Sequence, residues 1–173
     1  MNTNISLAKK WISSAVADLE RFLNSLKADD FADAAYRSQF AVEKLNKSIL
    51  LLLGTKFQKT HEPTKILLDI LKDTESRTFD KKTEALFKEV IDYSLLFEEE
   101  GTKTRYGLYK DEEYVTAEEI YKSFESIKDF INNLKKLISA YIEIVHEVFQ
   151  IPEAELEDLI KLKDIKEDLS KWI

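Results

Sequence analysis

The sequence has no cysteine, only three glycines and only two prolines among its 173 residues. Without cysteine the chain can form neither a disulfide bond nor a thiolate metal site. So little glycine and proline leaves few residues for the tight turns that a many-stranded sheet requires. There is also no run of about 18 apolar residues, so no membrane-spanning helix is predicted. These absences favour a helical protein with few connections.

The charge is one-sided, because 33 acidic residues outnumber 26 basic ones and give a net charge of -7. Such a surface argues against DNA and against general nucleic-acid binding, but it does not exclude a local basic pocket. The first apolar segment is interrupted by charges at Lys9, Lys10, Asp18 and Glu20, so no signal peptide is expected and a cytoplasmic protein is predicted. The length suits one domain, predicted to span residues 1–173.

Apolar residues recur every three or four positions in the first part of the chain, as they do along one face of an α-helix. This pattern predicts a first helix over about residues 5–27 and a second over about residues 31–53. Asp29 and Asp30 are helix-start residues and mark the turn between the two. A short helix is predicted over about residues 63–72, with a proline in its first turn.

The second part of the chain predicts two more long helices. One covers about residues 79–99, and Gly101 is expected to end it. The other opens at Thr116, which forms a capping-box pattern with Glu119. Its apolar residues alternate steps of four and three as far as residue 148, a pattern typical of the seam of a helical bundle. It is predicted to be the longest helix of the chain.

These elements predict an all-α fold, an antiparallel up-and-down four-helix bundle. The bundle core is expected over about residues 5–150, and an amphipathic C-terminal helix over about residues 153–172 should pack back on it. In this topology the 28–30 turn and the 101–115 segment lie at one end. The 54–62 connector then lies at the other end, about 30 Å away along a 20-residue helix.

Five short motifs follow one another along the chain. They are ADL at 17–19, DFADAA at 30–35, SQFAVEK at 38–44, TH at 60–61 and TRY at 104–106. Their order and spacing resemble those of the HEPN family (higher eukaryotes and prokaryotes nucleotide-binding domain) over about residues 5–145. The resemblance implies a bundle of four to five helices, usually a homodimer, often with a small nucleotidyltransferase as its partner.

Many members of that family resemble metal-independent ribonucleases, whose signature is an arginine followed after four to six residues by a histidine. Here the residue after four spacers from Arg105 is Lys110, and no histidine lies between His61 and His146. Lysine has a reference pKa of about 10.4 and keeps its proton near neutral pH unless it is strongly desolvated. The substitution therefore predicts binding rather than cleavage, because a catalytic base works best with a pKa near 7.

The predicted site centres on the TRY motif. The residues predicted to bind a nucleotide or an RNA phosphate are Arg105, Tyr106, Lys110 and Arg37, and those predicted to give polar support are Gln39, Glu43 and Tyr109. Two alternatives remain for these side chains. Arg105 would pair with a glutamate among residues 98–100 as a loop arginine, and Arg37, Gln39 and Glu43 would form a buried network between the second and fourth long helices. Tyr109 or Tyr114 could accept a nucleotidyl group from a partner enzyme.

The two histidines are expected to lie away from this site. His61 should sit at the opposite end of the bundle from Arg105, so an arginine–histidine pair would require an antiparallel dimer. His146 follows the core position Val145 and is expected on a polar rim. Two scattered histidines without an HxxxH spacing predict no metal site, and no cofactor is predicted.

The sequence therefore predicts a homodimeric helical protein without full nuclease activity. It would bind a nucleotide, an RNA phosphate or a partner nucleotidyltransferase. Two alternatives stay open: a metal-independent ribonuclease that acts as the toxin of a toxin–antitoxin pair, and a non-catalytic assembly module. In the latter, the long seam helix and the apolar 49–53 face would bind another chain.

Overall fold

The computed structural model describes residues 4–55, 60–73, 78–152 and 157–173. Within these ranges the helices are α1 (Ile5–Lys27), α2 (Phe31–Leu52), α3 (Pro63–Lys72), α4 (Lys81–Tyr106), α5 (Ala117–Ile120), α6 (Phe124–Glu143) and α7 (Glu157–Leu169). The strands β1 (Leu108–Lys110) and β2 (Glu113–Val115) form one antiparallel hairpin. The all-α prediction is confirmed. Among the described residues, no helix combines the length and the apolar character needed to cross a membrane.

The α1–α2 hairpin is the most extensive helix pair of the fold. The side chains of Asn4 and Asp30 cap the two helix N-termini by accepting hydrogen bonds from backbone N–H groups of the first turn. The end of α2 is buried within the chain, with Ile49 0% and Leu53 2% exposed. The suggestion that the 49–53 face binds another chain is therefore wrong, because that face is covered by the fold itself.

The predicted end of the third long helix at Gly101 is wrong. Helix α4 runs on for five more residues and ends at Gly107, whose φ of +65° is a conformation that favours glycine. Gly101 lies inside the helix, where a Cβ atom would come 3.4 Å from the Nε2 of Gln39 on α2. A Cβ atom at that distance would make an ordinary van der Waals contact, so the space beside Gln39 does not require a glycine. The segment predicted as a connector is helix as far as Tyr106 and a hairpin beyond it.

The fourth long helix is not continuous. The predicted capping box of Thr116 and Glu119 is present, but the helix that it opens is only four residues long and ends at Tyr121. A new helix, α6, starts after Ser123, and its chain continues as a π-helical turn over Ile144–Val148. The predicted seam is nevertheless the core of the protein. Its buried members are Ile127, Ile131, Leu134, Ile138, Tyr141 and Val145.

Helix α7 packs against α1 and α6. Its buried residues are Leu159, Leu162, Ile165 and Leu169. Trp172 extends this contact by stacking on Phe124, with 6.1 Å between ring centroids. Ile160, predicted to face the core, is 47% exposed, and Leu156 lies outside the described residues.

Helix α3 begins beside the middle of α2 rather than beyond its end. Thr64, in the first turn of α3, accepts a hydrogen bond through its hydroxyl from Nδ2 of Asn46 at 3.2 Å. The later residues of α3, Leu67 and Ile70, line a small apolar cavity with Leu53. The start of α3 therefore lies back along α2 from Leu53. This places His61 far from the position expected for it.

Candidate functional site

Arg105 lies in the last turn of α4, and its side chain reaches across to α2. Its Nε and Nη2 donate to Oε1 of Gln39 at 3.2 and 2.9 Å, and Nη2 also donates to Oε2 of Glu43 at 3.3 Å. The guanidinium lies 4.9 Å from the ring centroid of Phe40. The expected pairing of a loop arginine with a nearby glutamate is wrong, because Arg105 is helical and these partners are on α2. The buried network instead ties α2 to α4, the third long helix.

Glu43 is the centre of this network. The residue is 6% exposed. Its Oε1 accepts from Nζ of Lys47 at 2.6 Å, while Oε2 lies 3.2 Å from Nδ1 of His61 and also accepts from Arg105. Burial acts to raise the pKa of the Glu43 carboxyl, but hydrogen bonds and charge from Lys47 and His61 outweigh it, so the pKa is lowered. The carboxylate is therefore ionised at neutral pH. We call Glu43, Gln39, Lys47, His61 and Arg105 the Glu43 cluster.

His61 joins the cluster from the residues that precede α3. It was expected at the opposite end of the bundle, and that expectation is wrong because its Nδ1 lies 3.2 Å from Oε2 of Glu43, in the middle of α2. From Leu53 back to Glu43 is ten residues of helix, about 15 Å at 1.5 Å per residue, a span that the connector can cover. Arg105 and His61 thus meet at one carboxylate within one protomer, and their pairing requires no dimer. The imidazole is 55% exposed, whereas Glu43 beneath it is buried.

A second polar contact holds the start of α3 in place. Glu98 on α4 accepts a hydrogen bond from the backbone N–H of Thr64 at 2.9 Å, and Asn46 donates to Ser94 at 2.9 Å behind it. Burial raises the pKa of the Glu98 carboxyl, and the bonds from Thr64 offset only part of this effect. Since His61 lies three residues before Thr64, these contacts fix its position relative to Arg105.

Two cavities open on either side of Arg105. The first, which we call the His61 cleft, has a volume of about 180 Å³ and is lined by His61, Glu98, Thr102 and Gln39. The second, the hairpin cavity, has a volume of about 330 Å³. Its lining includes Asp30, Asp33, Tyr36, Tyr114 and Glu118. Arg105 and Tyr106 line both cavities.

Some of the predicted site residues come together and others do not. Arg37 turns towards α1, with its Nε 3.2 Å from Asp33 and its Nη1 3.7 Å from Asp18. Tyr109, which is 80% exposed, and Lys110 lie in the hairpin and do not line either cavity. The predicted grouping thus holds for Arg105, Tyr106, Gln39 and Glu43.

Two members of the Glu43 cluster were not predicted as site residues. Lys47 follows Glu43 by four positions, the spacing at which helical side chains meet, and this was a usable signal. Its Nζ also lies 5.0 Å from the ring centroid of Trp11 on α1. His61 was visible as a motif, but its contact with the same Glu43 oxygen as Arg105 depends on where α3 starts beside α2. His146 is half-buried in the π-helical turn. Among the described residues, no group of three or more potential ligands is placed to hold a metal ion.

Comparison with known proteins adds one finding. A family model for the HEPN domain matches residues 8–137. No curated protein and no solved structure matches the chain. The matched region runs from α1 into α6 and contains every residue of the Glu43 cluster, whereas α7 lies outside it.

Proposed function

The chain belongs to the HEPN family, and from that membership we propose that it binds a nucleotide or the phosphate of an RNA strand at Arg105, without full nuclease activity. One observation carries the proposal. A guanidinium has five N–H donors in a planar fork. Gln39 and Glu43 hold the Nε and Nη2 edge, while Nη1 has no hydrogen-bond partner among the residues that the structure describes. Arg105 is therefore held in position with a donor left for a ligand.

The surroundings of Arg105 support the same ligand. Tyr106 is 68% exposed beside the two cavities, and an exposed ring can stack on a base. The hairpin cavity, at about 330 Å³, falls at the small end of the range of roughly 300–1,000 Å³ that is usual for small-molecule sites, but its carboxylates Asp30, Asp33 and Glu118 suit a base or ribose rather than a phosphate. Binding without cleavage is favoured because Lys110, which stands where the family signature has a histidine, does not line either cavity.

Calorimetric titration of AMP and ATP tests this site. Arg105→Lys keeps the charge and removes the fork, so we expect nucleotide affinity to fall at least about tenfold relative to wild type. Arg21→Lys is the matched control, because Arg21 is 59% exposed on α1. Urea denaturation should show that both variants are folded. Negligible heat with wild type and with both variants would contradict the proposal.

The ribonuclease alternative gains support from His61. Imidazole is the usual base near neutral pH, and a carboxylate that holds Nδ1 orients the other ring nitrogen outward. Oε2 of Glu43 lies 3.2 Å from Nδ1 of His61 and also accepts a hydrogen bond from Nη2 of Arg105. Incubation with RNA in EDTA separates the two functions, because this reaction needs no metal ion. We expect intact RNA. Cleavage that is lost in both His61→Ala and Arg105→Ala would reverse our ranking.

The same proposal includes two partners: the protein forms a homodimer, and it binds a small nucleotidyltransferase. Tyr109 supports the second partner, because its side chain is the most exposed of the large apolar residues of the hairpin. A nucleotidyltransferase could modify its hydroxyl without unfolding the site. Gel filtration with light scattering measures the dimer, and a monomer at all concentrations would contradict that part.

A further inference from the structure

Helix α2 is buried on all sides except for one stripe. From Ala32 to Leu52, the only residues that are not buried are Asp33, Tyr36, Arg37, Phe40 and Lys44. Their spacing of three, one, three and four places them along a single face of the helix. Two of the five are aromatic and two are cationic. We call these five residues the α2 stripe.

The aromatic and cationic groups of the stripe are interleaved. The rings of Tyr36 and Phe40 lie 4.7 Å apart between centroids. The guanidinium of Arg37 lies 5.4 Å from the ring centroid of Tyr36, and that of Arg105 lies 4.9 Å from the ring centroid of Phe40. Arg105 thus connects the stripe to the proposed nucleotide site.

Helix α1 contributes one cation, Arg21, and one buried carboxylate, Asp18, at the edge of the stripe. Asp18, 2% exposed, is contacted by three cations: Arg21, Arg37 and Lys44. The only carboxylate within the stripe, Asp33, is already bonded to Arg37 and to the hydroxyl of Ser25. The cations therefore outnumber the carboxylates on this face, in a chain whose net charge is -7.

This composition distinguishes between possible occupants. A second copy of the face would bring cation against cation, which opposes self-association. The carboxylates of an acidic polypeptide would pair with the cations, but the two aromatic rings would have no specific partner on it. A single-stranded nucleic acid uses both, because its phosphates meet the cations and its bases stack on aromatic side chains.

We infer that the α2 stripe is a track for single-stranded RNA, which leads away from Arg105 and is read without regard to base sequence. The inference extends the proposed function and rests on it in sharing Arg105. From Tyr36 to Lys44 is eight residues, about 12 Å of helix, which spans about three to four nucleotides at 3.4 Å each. Four cations are available for phosphates: Arg21, Arg37, Lys44 and Arg105. They predict that log K for RNA binding falls with log salt concentration with a slope of about -2.8.

Fluorescence anisotropy with a labelled oligouridine of about eight nucleotides, a length within the usual site size, tests the track across a salt series. Phe40→Leu keeps an apolar side chain but removes the ring, and we expect affinity to fall about 5- to 100-fold. Arg37→Gln should reduce the magnitude of the salt slope by about 0.7 to 1. Asp18 keeps Arg21 and Lys44 in that variant, so the fold should survive.

Lys128→Gln is the matched control, because Lys128 is 47% exposed on α6. It should bind the oligonucleotide like wild type. Circular dichroism and urea midpoints should match for all variants. No binding by wild type, or equal binding by wild type, Phe40→Leu and Arg37→Gln, would overturn the track. Displacement of the RNA by polyglutamate, equally well from wild type and from Phe40→Leu, would assign the face to an acidic polypeptide. Loss of a dimer in Phe40→Leu with unchanged RNA affinity would assign it to a second copy.

Mononucleotide titration separates this inference from the proposed site. Lys44→Gln should reduce the salt slope in the same way and leave AMP binding unchanged, because Lys44 does not line either cavity. If wild type binds AMP but no variant of the stripe weakens oligonucleotide binding, the track is wrong and the site stands. If the variants weaken oligonucleotide binding while wild type does not bind AMP, the track stands and the nucleotide site is wrong.

Discussion

The Glu43 carboxylate should be the most sensitive single group of the fold. Glu43→Gln keeps the size of the side chain and leaves an oxygen for Lys47, which is itself 5% exposed, but it removes the charge. Removing one partner of a buried ion pair costs about 3–5 kcal/mol. We expect about 3 kcal/mol, the low end, because an acceptor remains for Lys47. For a chain of this size, that lowers the Tm by about 6–12 °C.

Urea denaturation followed by circular dichroism measures this loss, and Glu99→Gln on the exposed face of α4 is the control, with an expected change near zero. The pH dependence has a defined sign. The folded-state pKa of Glu43 is below 4.5, so its stabilisation is fully present above pH 4.5 and is lost as the pH falls through the folded-state pKa. Wild type and variant should therefore converge in acid. A loss below about 1 kcal/mol at neutral pH, or a gap that persists in acid, would refute the reasoning.

Three further predictions concern α4 and the core. Gly107→Ala places a Cβ atom 2.2 Å from the backbone oxygen of Val115 at positive φ, and should destabilise the protein by more than about 2 kcal/mol. Gly101→Ala, inside α4, should change stability by less than about 1 kcal/mol. Thermal melts compare the two variants. Glu98→Gln should be as stable as wild type or more stable at pH 7. Because the pKa of Glu98 is raised in the folded state, its ionisation opposes folding above that pKa, and any advantage of the variant should vanish below pH 4.5 in urea titrations. Tyr141→Phe removes the hydrogen bond to Ser48, 2.6 Å long and buried, and should cost about 1 kcal/mol in the same assay; no change would show that the bond contributes nothing.

The helices that carry their own start signals could be predicted from the sequence. Helix α1 has the predicted bounds, Asp30 caps α2, and α3 begins with its proline at the predicted place. In each case the signal is local, because a capping side chain or a proline acts on the backbone within one turn. Periodicity also identified the buried seam of α6, since burial on one face is recorded in the residues themselves.

The ends of α4 could not be predicted in the same way. Gly101 reads as a helix terminator, yet it lies within the helix, beside Gln39, which is distant in sequence. Gly107 is the residue that takes the positive φ. Which of two nearby glycines ends a helix is decided by tertiary contact, and a single sequence does not record that contact.

The sequence identified some residues of the candidate site but not how all of them come together. Arg105, Gln39 and Glu43 were found by motif, but their meeting with His61 depends on where α3 starts beside α2. The assumption that each connector simply joins adjacent bundle ends placed His61 at the wrong end. Lys110 was singled out from its spacing after Arg105, and the hairpin carries it away from the cavities.

The contact between α7 and α1 has a consequence for how the chain folds during synthesis. Ser13 donates a hydrogen bond to Asp158, which is 145 residues later in the chain. At about 5–20 residues per second, a ribosome makes the second partner roughly 7–30 s after the first. The α1–α2 hairpin can close early because its strongest contacts are between neighbours in sequence, but the outer side of α1 must wait for α7. Nascent chains arrested before residue 157 should therefore be more open to proteases and chaperones along α1 than released chains are.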